Sequence, residues 1–232
     1  GLYKIDMSTF KIEDHYTLLT DYEGNSLRTF YIDKKGYIWF GTIDGIYIFD
    51  PTDGKLSHYK HSRTDPFSLP NNSIWEISED RQSNVWIGTY SGTLCYVNID
   101  ENNAFKTYHP QNSGLNHTPV SAFAEDQQYL WVGTEGGGIN RMNKATGEFS
   151  YITSANSITS NNIKSLITDA GHNLWISTFM GGLDLYNVGR QKVTNFKHTK
   201  GAPHSLLVND VRKTILEGDS GMWVAYQYQK AE

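Results

Sequence analysis

The chain has 232 residues and sets 20 Lys and Arg against 25 Asp and Glu, a formal net charge of −5. That balance argues against a dedicated nucleic-acid binder, and an aromatic content of 13% supplies enough bulky apolar surface for a packed core, which excludes wholesale disorder. Cys95 stands alone, so neither an intrachain disulfide nor a cysteine-based zinc cluster can form.

In chain order, the segment from Leu2-Tyr3-Lys4-Ile5-Asp6 reads as mid-structure and supplies the outer strands of a repeat. A strand centred on Leu27 and Phe30 follows, then Asp33 and a turn at Gly36. Next come the apolar run Ile38-Trp39-Phe40-Gly41-Thr42, a glycine-led hairpin into Gly45-Ile46-Tyr47-Ile48-Phe49, and a strand carrying Leu56 and Tyr59. The series then restarts. Ile74 and Ile77 precede Asp80, Val85-Trp86-Ile87-Gly88-Thr89, Gly92, Phe105 and Tyr108. Val120 and Phe123 precede Asp126, Leu130-Trp131-Val132-Gly133-Thr134, Gly138-Ile139, Phe149 and Tyr151. Ile163 and Leu166 precede Asp169, Leu174-Trp175-Ile176-Ser177-Thr178, Gly182-Leu183-Asp184-Leu185-Tyr186, Val193 and Phe196. A degraded copy ends the chain with Val211, Thr214, Glu217 and Met222-Trp223-Val224-Ala225-Tyr226.

Trp39, Trp86, Trp131, Trp175 and Trp223 are thus separated by 47, 45, 44 and 48 residues. Four short strands per period, without helical periodicity, predict an all-β fold: a β-propeller of about five four-stranded blades spanning residues 1–232. Four blades are complete, and one is split between the termini. The terminal strands either close a five-bladed ring or mark a fragment of a larger propeller whose edges pair elsewhere.

The recurring text, seen as Ile74 to Asp80, then Asn84-Val85-Trp86-Ile87-Gly88-Thr89 and Gly92, resembles the two-component regulator propeller repeat. The resemblance covers essentially the whole chain. It implies the periplasmic sensor portion of a hybrid histidine kinase responding to glycan breakdown products, usually with more blades, a β-sandwich domain, a membrane span and kinase modules. A periplasmic location follows from that resemblance only, since the N-terminus carries no signal-peptide pattern. Direct membrane insertion by this segment is not expected either: no apolar run approaches the roughly 18 residues of a membrane span.

Asp33, Asp80, Asp126, Asp169 and Glu217 occupy one position in every copy, so a structural role capping the following turn is expected. The repeat tryptophans read as wedges between blades. His61, His109 and His198 recur after outer-strand aromatics and belong to the repeat, and His58 and His61 fall on opposite faces of a strand, which is poor geometry for chelation. No metal, cofactor or catalytic motif is read, and Cys95 falls in a strand as a buried thiol.

Residues that break the repeat carry the functional information, because ligand sites are grafted onto scaffold loops. After the Gly-Thr pair come Asp44, Tyr90, Glu135, Phe179, Tyr226 and Tyr228, which gather on one face as an aromatic and acidic mouth suited to an oligosaccharide. The longer connections add Arg63, Asp65, Phe67, Lys200 and His204 to that face. The expected function is a non-catalytic sensor segment whose partners are an oligosaccharide and either a second copy or further blades of its parent. Two alternatives stay open: a propeller glycosidase or lyase using Asp44 and Glu135, and a protein-interaction scaffold.

Overall fold

The computed structural model describes residues 2–16, 27–90, 93–98, 104–218 and 220–227. Every regular element among the described residues is a β-strand. β1 (Leu2–Ile5) and β2 (Ile12–Tyr16) form an antiparallel pair. The first blade holds β3 (Thr29–Ile32), β4 (Ile38–Thr42), β5 (Gly45–Phe49) and β6 (Leu56–Tyr59). The second holds β7 (Ile74–Glu79), β8 (Val85–Thr89), β9 (Leu94–Val97) and β10 (Lys106–Tyr108). β11 (Val120–Glu125), β12 (Tyr129–Thr134), β13 (Gly138–Asn143) and β14 (Phe149–Ile152) make the third. β15 (Ile163–Thr168), β16 (Asn173–Thr178), β17 (Gly182–Asn187) and β18 (Lys192–Phe196) make the fourth, and β19 (Val211–Glu217) with β20 (Gly221–Tyr226) a half-blade. Each complete blade is a four-stranded antiparallel meander, the propeller architecture expected from the repeat.

Neighbouring blades pack through their innermost strands, β3 on β7, β7 on β11, β11 on β15 and β15 on β19. The glycine of the Gly-Thr pair sets this spacing. A Cβ on Gly41, Gly88 or Gly133 would lie 2.7, 2.8 or 2.6 Å from the side chain of Ile74, Val120 or Ile163 on the next blade. Bare glycine lets those apolar side chains seat against the sheet. In the fourth blade Ser177 takes the position, with its Oγ 3.3 Å from Thr214 Oγ1 of β19.

The tryptophans of the first three blades pack into the blade that follows each of them. Trp39, Trp86 and Trp131 are buried, Trp175 is half-buried under the half-blade, and Trp223 is 66% exposed. The opposite face shows the complementary pattern. Ile77, Phe123 and Leu166 are covered by the preceding blade, whereas the equivalent Phe30 is 56% exposed.

The expected joining of the terminal strands into a fifth sheet is not seen. β1–β2 and β19–β20 are separate two-stranded sheets, so the described blades form an arc with Phe30 on its leading face and Trp223 on its trailing face.

Candidate functional site

The repeated carboxylates build the scaffold. Asp33 Oδ1 accepts the amides of Lys35 and Tyr37, and its Oδ2 accepts the Trp39 indole N–H at 2.9 Å. Asp80, Asp126 and Asp169 repeat the arrangement, taking the indole N–H groups of Trp86, Trp131 and Trp175 at 2.8, 3.0 and 3.0 Å. Each carboxylate thus closes the turn ahead of the second strand and satisfies the polar edge of the ring wedged between blades. The histidines are equally structural. His61 and His198 place Nδ1 at 2.7 and 2.8 Å from the carbonyls of Leu69 and Leu206, and their amides bond Asn72 and Asn209, pinning the long inter-blade loops. His58 stacks on Tyr47 at 3.8 Å. Burial pushes the Cys95 thiol well above its ordinary range, which removes it as a nucleophile.

A register shift on the inner strands β7, β11, β15 and β19 sets one unlike residue out of each ladder. The ladder skips a residue between Ile74 and Glu76, Val120 and Ala122, Ile163 and Ser165, and Val211 and Lys213. The extra residues are Trp75, Ser121, Lys164 and Arg212, and Arg28 holds the same place ahead of β3. Bulges re-aim a side chain out of the pleat. Here they meet the loops that follow each Gly-Thr pair. The Arg28 guanidinium lies 6.0 Å from the Trp75 ring, and Trp75 packs on Tyr90 at 5.1 Å. Lys164 forms an ion pair with Glu135 and sits 5.6 Å from the Phe179 ring, while Arg212 approaches that ring at 5.9 Å. Arg212 Nη2 donates to Asp210 Oδ2 at 3.4 Å, and its Nε lies 3.3 Å from Asp210 Oδ1.

Three of the residues singled out from the sequence, Tyr90, Glu135 and Phe179, belong to these two clusters. Three do not. Asp44 turns to its own outer strand, where its carboxylate pairs with Lys60 at 2.7 Å and its carbonyl oxygen lies 2.8 Å from His58 Nε2. Tyr226 pairs with Val211 as Thr178 pairs with Ile163, so it occupies the threonine position of the repeat, and Gln227 is the true counterpart of Phe179. The Gln227 amide bonds Asp210 O as the Phe179 amide bonds Asn162 O. Tyr228 and Gly92 lie outside the described residues. The face is therefore aromatic and cationic as well as acidic, because Arg28, Lys164 and Arg212 join it from the bulges.

The family model for the two component regulator propeller matches residues 21–44, 68–91 and 114–136, covering the inner halves of the first three blades. Those three segments carry the two-component regulator propeller repeat. It is 27% identical over 201 residues to Histidine kinase P4 of Formosa agariphila, across 80% of this chain and 14% of that protein. Among solved structures, it resembles the extracellular domain assigned to a hybrid two component system of B. thetaiotaomicron, with a TM-score of 0.75 and 25% identity over 93% of this chain and 28% of that one. A second such domain from B. thetaiotaomicron aligns with a TM-score of 0.69 and 18% identity, covering 92% of this chain and 34% of that one. The chain thus spans about a third or less of the length of each of these relatives. No helix among the described residues is long and apolar enough to cross a membrane.

Proposed function

We propose that this chain is the ligand-recognition part of a hybrid two-component signalling protein, working outside the cytoplasmic membrane and binding an oligosaccharide at the loop face without chemistry of its own. The carrying observation is the convergence of repeat-breaking residues: Tyr90 and Phe179 come from the loops, while Trp75, Lys164 and Arg212 come from the bulges. Half-exposed rings offer apolar faces to a sugar, and the adjoining cations and Glu135 offer donors and acceptors to its hydroxyls. Relatives that carry histidine-kinase and two-component names support the signalling context.

Signalling then requires that ligand bind two arrangements of the parent with different affinity, for example two arrangements of a dimer. A glycosidase would need two cooperating carboxylates, but Asp44 and Glu135 are each held in an ion pair with a different lysine. The test is calorimetric titration of a glycan-fragment panel into the wild type and a Tyr90→Ala/Phe179→Ala double variant. Binding lost in the variant supports the loop face. Binding retained there, or turnover abolished by Glu135→Gln, would overturn it.

A further inference from the structure

In each complete blade the second strand is paired on both sides, as β16 is by β15 and β17, whereas β20 pairs with β19 alone and leaves a six-residue, largely apolar edge. Such an edge is a template for a further strand. The blade before it is affected too. The last apolar residue of a third strand, Val97, Met142 or Tyr186, joins the core that holds the tryptophan of the preceding blade, Trp39, Trp86 or Trp131. Among the described residues nothing takes that place over Trp175, which lines an opening of about 300 Å³ with Leu216 and Met222.

The β1–β2 hairpin is built as the half that β19–β20 lacks. Leu2-Tyr3-Lys4-Ile5-Asp6 follows the pattern of Ile139-Asn140-Arg141-Met142-Asn143, apolar at both ends of four residues and then Asp or Asn. Ile5 faces Ile12 across the ladder as Met142 faces Phe149. The turn matches as well. The Asp6 amide bonds Lys11 O and the Phe10 amide bonds Asp6 O, as the Asn143 amide bonds Glu148 O and the Gly147 amide bonds Asn143 O. Phe10 holds a φ of 55° where Gly147 holds 74°. Twelve residues separate β2 from β3, against 10 to 14 between the later blades. Yet Ile5 and Ile12 are 51% and 61% exposed, and the hairpin forms a sheet of its own.

We infer that β1–β2 is exchanged between two copies of this chain, the hairpin of each completing the last blade of the other. The register of the fourth blade carries over directly. Ile176 and Leu174 face Asp184 and Tyr186, so Val224 and Met222 face Tyr3 and Ile5 of the second copy. That register sets Ile5 over the opening beside Trp175, as Tyr186 stands against Trp131 at 6.3 Å.

The occupant is a second copy because within one copy the two halves form separate sheets, and exchange of an identical element needs no new surface. The 12 residues between β2 and β3 can span about 40 Å, which lets a hairpin sit on one copy while its blades belong to the other. Because the exchange is reciprocal, it closes at two copies instead of growing into a fibre. A copy on its own keeps its half-blade open, and the two forms interchange with concentration.

The test is sedimentation equilibrium of the full chain over a range of concentrations, together with disulfide trapping. A dimer is expected at high concentration, and exchange of the β20 amides, fast in the dilute monomer, should slow by about tenfold or more as the dimer forms. Tyr3→Cys/Val224→Cys, with the native Cys95 buried, should oxidise to a covalent dimer on a denaturing gel without reductant. Ile5→Asp should leave a monomer with its blades folded, since Ile5 lies outside the blade cores. A disulfide within one chain, which would place the hairpin on its own β20, overturns the proposal. So does a monomer at every concentration, a dimer undiminished by Ile5→Asp, or a folded cysteine pair that fails to cross-link in the dimer. If the cysteine pair does not fold, the Ile5→Asp comparison decides.

Discussion

Lys213 Nζ lies 3.7 Å from Glu76 Oε1, linking the innermost strand of the half-blade to that of the second blade, although β11 and β15 stand between them in the packing order. Burial raises the pKa of Glu76 above its ordinary 4.5, with Lys213 opposing the shift less strongly. The folded chain therefore holds this proton to higher pH than the unfolded chain. The contribution of Glu76 is most favourable below pH 4.5 and declines as pH rises through its raised folded value. Glu76→Gln should flatten that part of the stability profile. Urea midpoints measured across it would reveal an unchanged slope if the assignment is wrong.

Asp80 and Glu217 share a sequence position but not a job. Asp80 is buried and bonds the Trp86 indole, the Asn84 side chain and two turn amides, whereas Glu217 is exposed. Asp80→Ala should cost about 2–4 kcal/mol by stranding those buried donors, and Glu217→Ala about 0.5 kcal/mol or less. Equilibrium denaturation of the two variants side by side checks this.

Tryptophan truncation should follow the presence of the next blade. Trp131→Ala empties a fully buried site and is expected to destabilise by about 3–5 kcal/mol. Trp223→Ala, on the open trailing face, should change stability by about 0.5 kcal/mol or less. Equal losses at both positions would mean that the trailing face is covered in solution.

Glu135 and Lys164 form a pair whose side chains are 22% and 14% exposed. A double-mutant cycle with Glu135→Gln and Lys164→Met should return a coupling of about 0.5–3 kcal/mol, as expected for groups in contact. Additive losses would place the two side chains apart.

The scaffold was legible because it repeats. Asp33, Asp80, Asp126 and Asp169 recur at fixed distance from a tryptophan, and the structure adds only that the carboxylate also bonds the indole. The loop face was half legible. Tyr90, Glu135 and Phe179 were visible as variable positions beside a fixed Gly-Thr pair, but Trp75, Lys164 and Arg212 were not, because the bulge that aims them shifts the alternation of the strand by one residue. The available signal was an unlike residue directly after the first apolar residue of each inner strand. Tyr226 was misplaced because the degraded copy lacks the glycine and threonine that mark the register. Asp44 was misdirected by Lys60, a neighbour on its own outer strand that the loop text does not reveal.

Successive packing of blades, graded from Trp39 to Trp223, also orders how the molecule comes apart. A stack in which each unit leans on its neighbours behaves as a linear array with nearest-neighbour coupling, and such arrays fray from the less supported end. Amides of β19 and β20 should exchange with solvent deuterium first, those of the fourth blade next, and those of the second and third blades last.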